Sequence, residues 1–438
     1  MSEAEVPAQS PAPRPKRRLL FRFFRGFLVL VVLLIVTYIV ADQVMLRKVQ
    51  QKREAFRERF GKVDFRDFIP ERPAPEEDAG RVYGFAIAQM AKADQEYGDW
   101  SIYHALTEGA EAFRKRGQDD SDLPEPEEVD AKVREKMSAM DEAFRTVEAA
   151  RALNQGTPVQ SYEQEDMLPV LTEVRMLANS IGAKAVFEAR AGNLDAACAW
   201  LESGLHLANT MHNCPTLIVH QVRIACLGVA LGAAEEVMNT TSAPLPLEAS
   251  YWTLLDRAAN PDALRNMLAG EAAYAMAQRM PMPRLFWSSN ESKLIDFYLE
   301  LDDLSRVKSP KERRDLIGAI PVEQRFPMSP MNWMVPMLAP SLVRSIDAHD
   351  RISAQCDFVR LTAALLAWKR EHGAYPDSLE ALASTAPTSV DPFSGEAYHY
   401  RREGEGFLLY SVGPNRKDDG GMKVEKRDEG DIVWTCVR

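Results

Sequence analysis

Hydrophobic positions along this chain follow three different patterns. Residues 26–41 carry no charge, and 27–36 are apolar without a break. Between 82 and 259 apolar residues recur at i, i+3 and i+4, the spacing of one helix face. That spacing predicts helices over 82–116, 129–153, 168–191, 194–211, 217–238 and 247–259, separated by turn formers such as Gln118-Asp119-Asp120-Ser121 and Ala191-Gly192-Asn193. A hairpin at 181–211 is the sharpest of these pairings. Ala185, Ala197 and Gly204 put small residues where two antiparallel helices approach, as in a tetratricopeptide unit, but no second copy lies 34 residues to either side.

The third pattern begins near 341. Leu342, Ile346, Ile352, Cys356, Val359, Ala363 and Leu366 form one stripe, with His349 on the same face and Phe358, Leu361, Leu365 and Trp368 widening it. Arg370 and His372 suit the last turn of that helix, Gly373 suits a left-handed cap, and Pro376 prevents continuation. A short helix at Ser378-Leu379-Glu380-Ala381-Leu382 and a turn at Asp391-Pro392-Phe393-Ser394-Gly395 follow. Alternating strands are predicted over 398–402 and 407–412 around Gly404-Glu405-Gly406, with a last strand at 431–434.

These patterns predict a mainly α protein with an N-terminal transmembrane helix, a helical-hairpin body and a small C-terminal α+β module. The expected division is a basic tail (1–18), an anchor (19–41), a solvated stalk and linker (42–80), an all-helical body (81–280), an irregular connector rich in Pro and Met (281–340) and the module (341–438).

Charge sharpens the membrane reading. Of the net charge of -11, residues 1–62 contribute +8 and the remainder -19. Arg14, Lys16, Arg17, Arg18, Arg22 and Arg25 precede the apolar run and belong on the cytoplasmic side, so the body is expected to be exported across the membrane. With Arg22 and Arg25 snorkelling, the segment reaches the roughly 20 residues a spanning helix needs. Ile39 and Ala41 make a poor cleavage site, which favours an anchor over a signal peptide. An acidic body excludes nucleic acid as a partner.

Candidate chemistry is sparse. No G-x-S-x-G, H-E-x-x-H, G-x-x-x-x-G-K or G-x-G-x-x-G occurs. The five cysteines form no C-x-x-C. His206, His212, Cys214, His220 and Cys226 are a candidate zinc set, although their spacing turns successive side chains off any one face, and His206 and His220 read as helix-interface residues. Met328, Met331, Met334 and Met337 are soft ligand types, more typical of packing at this spacing. The acidic pair Glu235-Glu236 reads as a solvated face.

One ordered set of residues resembles the globular part of the type II secretion major pseudopilin. It comprises the helix end at Trp368 and Gly373, Tyr375-Pro376 with Leu379 and Leu382, Asp391-Pro392 with Gly395, Tyr400, Leu409-Tyr410-Ser411 with Gly413, Asp419-Gly420, and Asp431-Ile432 with Trp434. The resemblance implies calcium in the loop before the last strand, with Asp418, Asp419 and Asp431 as the carboxylates. Lys423, Lys426 and Arg427 depart from that family's small acidic loop, and Asp-Asp-Gly-Gly serves equally as a plain turn. Arg25-Gly26-Phe27 mimics the family's processing site, but Val31 stands where its glutamate belongs, and the helical body intervenes between membrane and module. The whole layout is similar to a bacterial family of membrane-anchored proteins from which no reaction carries over. The expected function is therefore a membrane-anchored envelope protein that binds a protein partner through its helical body. Membership of a secretion or pilus-like machine, or an enzyme with an unrecognised site in the body, are the alternatives.

Overall fold

The computed structural model describes residues 17–97, 101–107, 129–241, 243–278, 281–307, 312–313, 315–316, 327–383, 390–422 and 430–436. In chain order these form α1 (Arg17–Phe60), the single turn α2 (Phe65–Phe68), α3 (Ala79–Tyr97), α4 (Ile102–Thr107), α5 (Val129–Ala139), α6 (Asp141–Arg151), α7 (Gln164–Arg190), α8 (Leu194–Thr210), α9 (Leu217–Thr240), α10 (Ala249–Ala259), α11 (Asp262–Ala277), α12 (Arg284–Ser305) and α13 (Met334–His372). A 3-10 turn (Leu379–Leu382) and strands β1 (His399–Glu403), β2 (Gly406–Ser411) and β3 (Ile432–Cys436) complete the chain. The predicted class holds: mainly α, with an N-terminal apolar helix and a three-stranded antiparallel sheet near the C-terminus. The stretch predicted as one helix over 82–116 is α3 and α4 as far as residue 107, and the rest of it lies outside the described residues.

The apolar half of α1 is bare, with Phe23 82% and Leu34 62% exposed. A second helix, α9, also has the length and hydropathy to cross a membrane, but half of its apolar window is buried inside the body. The outer half of α1 is not the solvated stalk expected from its charges. Asp42, Lys52, Arg53 and Arg59 pair with Arg284, Asp296, Glu291 and Asp302 of α12, and Phe56 is fully buried. Each of these four charges has a partner roughly 240 residues away, which local periodicity cannot reveal.

Residues 281–340 likewise contain an ordered 22-residue helix, α12, where an irregular connector was expected. Its buried face begins with Ser288, Ser289, Asn290, Glu291 and Ser292 before turning apolar at Leu294, and that polar start conceals the period.

Two apolar cores result. One gathers Phe56, Phe65, α11, α12 and the first turns of α13. The other runs from Ala79 through α10, continues in α13 from Ile352, and ends in the sheet at Trp434 and Cys436. Helix α13 spans both and acts as a spine, so the C-terminal module is no separate end domain. Within the larger core, α7 and α8 form the predicted hairpin with Ala185 and Ala197 fully buried. A Cβ on Gly204 would stand 3.2 Å from that of Ala230, so the absence of a side chain lets α9 close over the pair.

Gly373 ends α13 as predicted, at φ 79°, with its N–H donating to Lys369 O at 2.8 Å. The strands pair in register Tyr400↔Leu409 and Leu409↔Trp434. Buried Asp391 joins the two turn motifs: it accepts from Phe393 N (2.9 Å), Ser394 Oγ (3.1 Å), Ser411 Oγ (2.8 Å) and Val412 N (3.2 Å). The β3 edge docks on α9, where Asn239 Nδ2 donates to Thr435 O (2.9 Å) and Thr435 N donates to Glu235 Oε1 (3.1 Å). Glu235 thus faces the sheet, not the solvent surface expected for it.

The carboxylate of Asp302 has no exposed side-chain area and accepts from Arg59 (2.6 Å), Arg265 (3.0 Å) and Arg306 (2.8 Å). Burial alone raises its pKa, and the bonds from Arg306, Arg59 and Arg265 more than reverse this, leaving it below the usual carboxylate value. A folded pKa below the unfolded one stabilises the protein above about pH 4 and is lost as pH falls through the folded value. Asp302→Asn is expected to cost about 3 kcal/mol at pH 7, because three guanidinium groups lose their buried counter-charge. Chemical denaturation in detergent measures this, and the difference from wild type should narrow below pH 4. Gly373→Ala, where a Cβ would meet nothing, should cost about 1 kcal/mol from the left-handed backbone alone.

Candidate functional site

A cleft of about 1270 Å³ opens where segment 62–73, the start of α3 and loop 154–162 meet α8, α10 and α11. Close backbone approach builds its wall. A Cβ on Gly80 would lie 2.1 Å from the Thr157 carbonyl, so α3 presses directly on the loop. Ala79 N donates to Gln155 O at 2.8 Å, and Asp78 caps α3 by accepting from Arg81 N at 3.1 Å. On the opposite side Phe65 packs edge-on against Tyr162 and Tyr274, at ring separations of 5.9 and 5.0 Å, which pins the segment that follows α1.

Six side-chain amides belong to the lining, from Asn154, Gln155, Gln160, Asn209, Asn213 and Asn266. His206 stands among them with both ring nitrogens engaged. The Leu153 carbonyl can only accept, so Nε2–H donates to it at 2.7 Å, and Nδ1 accepts from Tyr83 O–H at 2.8 Å. Burial lowers the His206 pKa, which favours the neutral ring, and the Leu153 carbonyl selects this tautomer. Cys214 contacts Thr157 Oγ1 at 3.6 Å, and burial raises its thiol, which disfavours the thiolate a nucleophile would need. The two residues best suited to chemistry are therefore committed to holding the wall.

Behind the wall lies Arg223, fully buried on α9. Its Nη2 is shared among Asn209 Oδ1 (3.4 Å), His212 Nδ1 (3.4 Å), Arg257 O (3.3 Å) and Ala258 O (3.3 Å), while Nε and Nη1 have no partner. Burial pushes the guanidinium down to about 10, Cys356 opposes this and Arg257 adds to it, so Arg223 is cationic at neutral pH. The groups around it are uncharged histidines. Burial, reinforced by Arg223, pushes His212 and His349 down to about 3 and His220 well below its ordinary value. The His220 and His349 rings lie 6.5 Å apart, and His220 Nε2 and His349 Nδ1 have no partner. Sequence reasoning passed over Arg223, although a lone arginine in the apolar run of α9 was the available signal.

The candidate zinc set does not converge. His206 reaches toward α3, His212 toward Arg223 and His220 toward His349, while Cys226 is buried and raised to about 12. The methionines diverge as well: Met328 and Met337 are 67% and 54% exposed, whereas Met334 is in the core. Asp418, Asp419 and Asp431 do share one loop, but as turn closers. Asp418 accepts from Gly420 N (2.9 Å) and Tyr410 O–H (3.0 Å), Asp419 from Asn415 Nδ2 (2.8 Å), and Asp431 from Gly421 N (2.7 Å). Burial, with Asp419 and Asp418 close by, raises Asp431 despite its backbone bonds. Among the described residues no three His, Cys, Asp or Glu side chains are arranged to hold a metal, and 423–429 of this loop lie outside them.

No family model, curated protein or solved structure matches the chain. The pseudopilin resemblance rests on the residues quoted for it.

The buried histidines make a pH prediction. A histidine whose folded pKa lies near 3 and whose unfolded pKa is about 6.5 stabilises above pH 6.5, and the contribution disappears as pH falls toward 3. His349→Gln removes one such group. The slope of unfolding free energy against pH between 6 and 4 should then fall by up to about 1.4 kcal/mol per pH unit.

Proposed function

We propose that the chain is a membrane-anchored binding protein. Helix α1 crosses the bilayer with residues 1–18 on the cytoplasmic side, and the helical body on the far side holds a negatively charged, hydrogen-bonding ligand in the cleft beside α8 and α10. What supports this reading most is a set of cations that form no ion pair. Lys62, Arg66, Arg72 and Arg257 line the cleft, and among the described residues none is paired with a carboxylate; Lys62 and Arg72 bond only the carbonyls of Asp67 and Gln160. Asp67, Glu71 and Asp78 share the lining, but Asp78 is spent on capping α3, and Arg223 adds its unneutralised charge from behind. In a chain of net charge -11, a cleft lined by four cations that hold no carboxylate is suited to an anionic ligand.

The amide lining adds donors and acceptors for hydroxyl, amide or carboxylate groups on the same ligand. The ligand comes from solution, not from the bilayer that α1 spans. Helix α1 ends at Phe60, so the cleft begins roughly 28 Å along the axis beyond Ala41.

Citrate and pyrophosphate titrated calorimetrically into the detergent-solubilised full-length protein test the site. Binding should weaken as salt rises. Arg257→Gln, exposed on α10 and outside both cores, should weaken it by about ten-fold, equivalent to about 1.4 kcal/mol. Undiminished affinity in Arg257→Gln would show that the anion binds elsewhere.

A further inference from the structure

Helices α1 and α12 run in the same direction in a fixed register. Asp42 pairs with Arg284, Lys52 with Asp296, Arg53 with Glu291 and Arg59 with Asp302, and the separation in sequence stays between 238 and 244. A residue of α12 therefore stands level with the α1 residue about 242 positions earlier. Asp42 is the first charged residue after the apolar run. By that register Met282, Leu285, Phe286 and Trp287 lie at, or within roughly 6 Å of, the level where the run ends at Ala41.

A second segment is fastened at the same end. Asn290 Nδ2 donates to Phe286 O and Pro330 O, both at 2.9 Å, and Asn290 Oδ1 accepts from Trp333 N at 2.7 Å and Met334 N at 3.2 Å. Ser289 Oγ donates to Met331 O at 3.0 Å. These bonds hold turn 327–333 beside the first turns of α12 and leave Met328 67% exposed. On α1 at the same level Val44 is 61% exposed, and Arg47 and Lys48 are exposed. The end of the body from which the apolar helix leaves thus combines aromatic and thioether side chains with a basic fringe. Headgroup layers extend roughly 5–8 Å beyond the hydrocarbon on each side, and aromatic and cationic side chains favour that zone.

We infer that this end of the body is a lipid-contacting foot, in which Met282, Phe286, Trp287 and Met328 enter the headgroup layer of the bilayer that α1 spans while Arg47 and Lys48 meet its phosphates. The foot rests on the membrane-anchor reading above and adds to it: the body stands on the membrane surface and does not sway on a single helix. It also gives exposed Met328 a purpose that packing does not supply.

Depth-dependent quenching tests the foot. The five native cysteines are buried, so single introduced cysteines can be labelled selectively with a fluorophore. Full-length Met282→Cys, Met328→Cys, Val32→Cys and Glu403→Cys variants would be reconstituted into vesicles of phosphatidylcholine and phosphatidylglycerol with brominated acyl chains. Glu403 is the outlying control, because its hairpin is bonded by Lys369 at the far end of the 39-residue α13, and Val32 reports insertion of the apolar run. The labels at 282 and 328 should be quenched roughly three-fold more than the label at 403. If Val32 is quenched while 282 and 328 behave like 403, the foot is wrong and the anchor stands. If Val32 is not quenched, the anchor fails and the foot with it.

Discussion

Asp302 accepts from three guanidinium groups on α1, α11 and the end of α12, with no side-chain surface left for water. Exposed ion pairs such as Arg57 with Glu54 contribute little, because solvent screens them and their side chains lose entropy. A buried carboxylate among three cations is different: removing it leaves three partly exposed guanidinium groups facing one another without the charge that joined them. Asp262 and Asp303 each share one of these arginines, so the cluster approaches neutrality. The position of the body on its apolar helix depends on this junction. The cleft depends on it too, because segment 62–73 follows directly from the docked end of α1.

The interior beyond that junction is polarised in an unusual direction. Around Arg223 lie three neutral histidines and the carbonyls of α10, without a carboxylate among its bonded partners. Burial holds the histidines uncharged, so the local positive potential comes from Arg223 and Arg257 alone. Asn209 links this potential to the cleft, since its Oδ1 accepts from Arg223 while its Nδ2 donates to Leu254 O at 2.9 Å. An anion in the cleft would relieve a repulsion that the fold otherwise bears internally.

Elements defined by their own residues could be read from the chain. The repeating spacing of α7 to α10, the cap at Gly373 and the hairpin at Gly404 need no distant partner to be recognised. What could not be read is whatever pairing across long separations decides. The charges of residues 42–60 look like a solvated rod until Glu291, Asp296 and Asp302 are set beside them. Helix α12 hides because its buried face starts with serines and Asn290, whose hydrogen bonds lie with the turn before α13. The cleft draws on six separate stretches between Lys62 and Asn266, none with a motif. The histidine–cysteine and methionine sets do not converge for the same reason in reverse: neighbours in sequence turn to different partners in space.

Because α13 and the sheet complete the core that α3 begins, the order of synthesis matters for this molecule. The helices around Leu177, Leu227 and Leu255 cannot seal their apolar faces until Phe358, Leu409 and Trp434 have arrived. A chain emerging N-terminus first would hold that surface open through nearly its whole translation, exposed to chaperones and proteases. Any interruption before β3 would leave a fragment marked for removal by its own unfinished core.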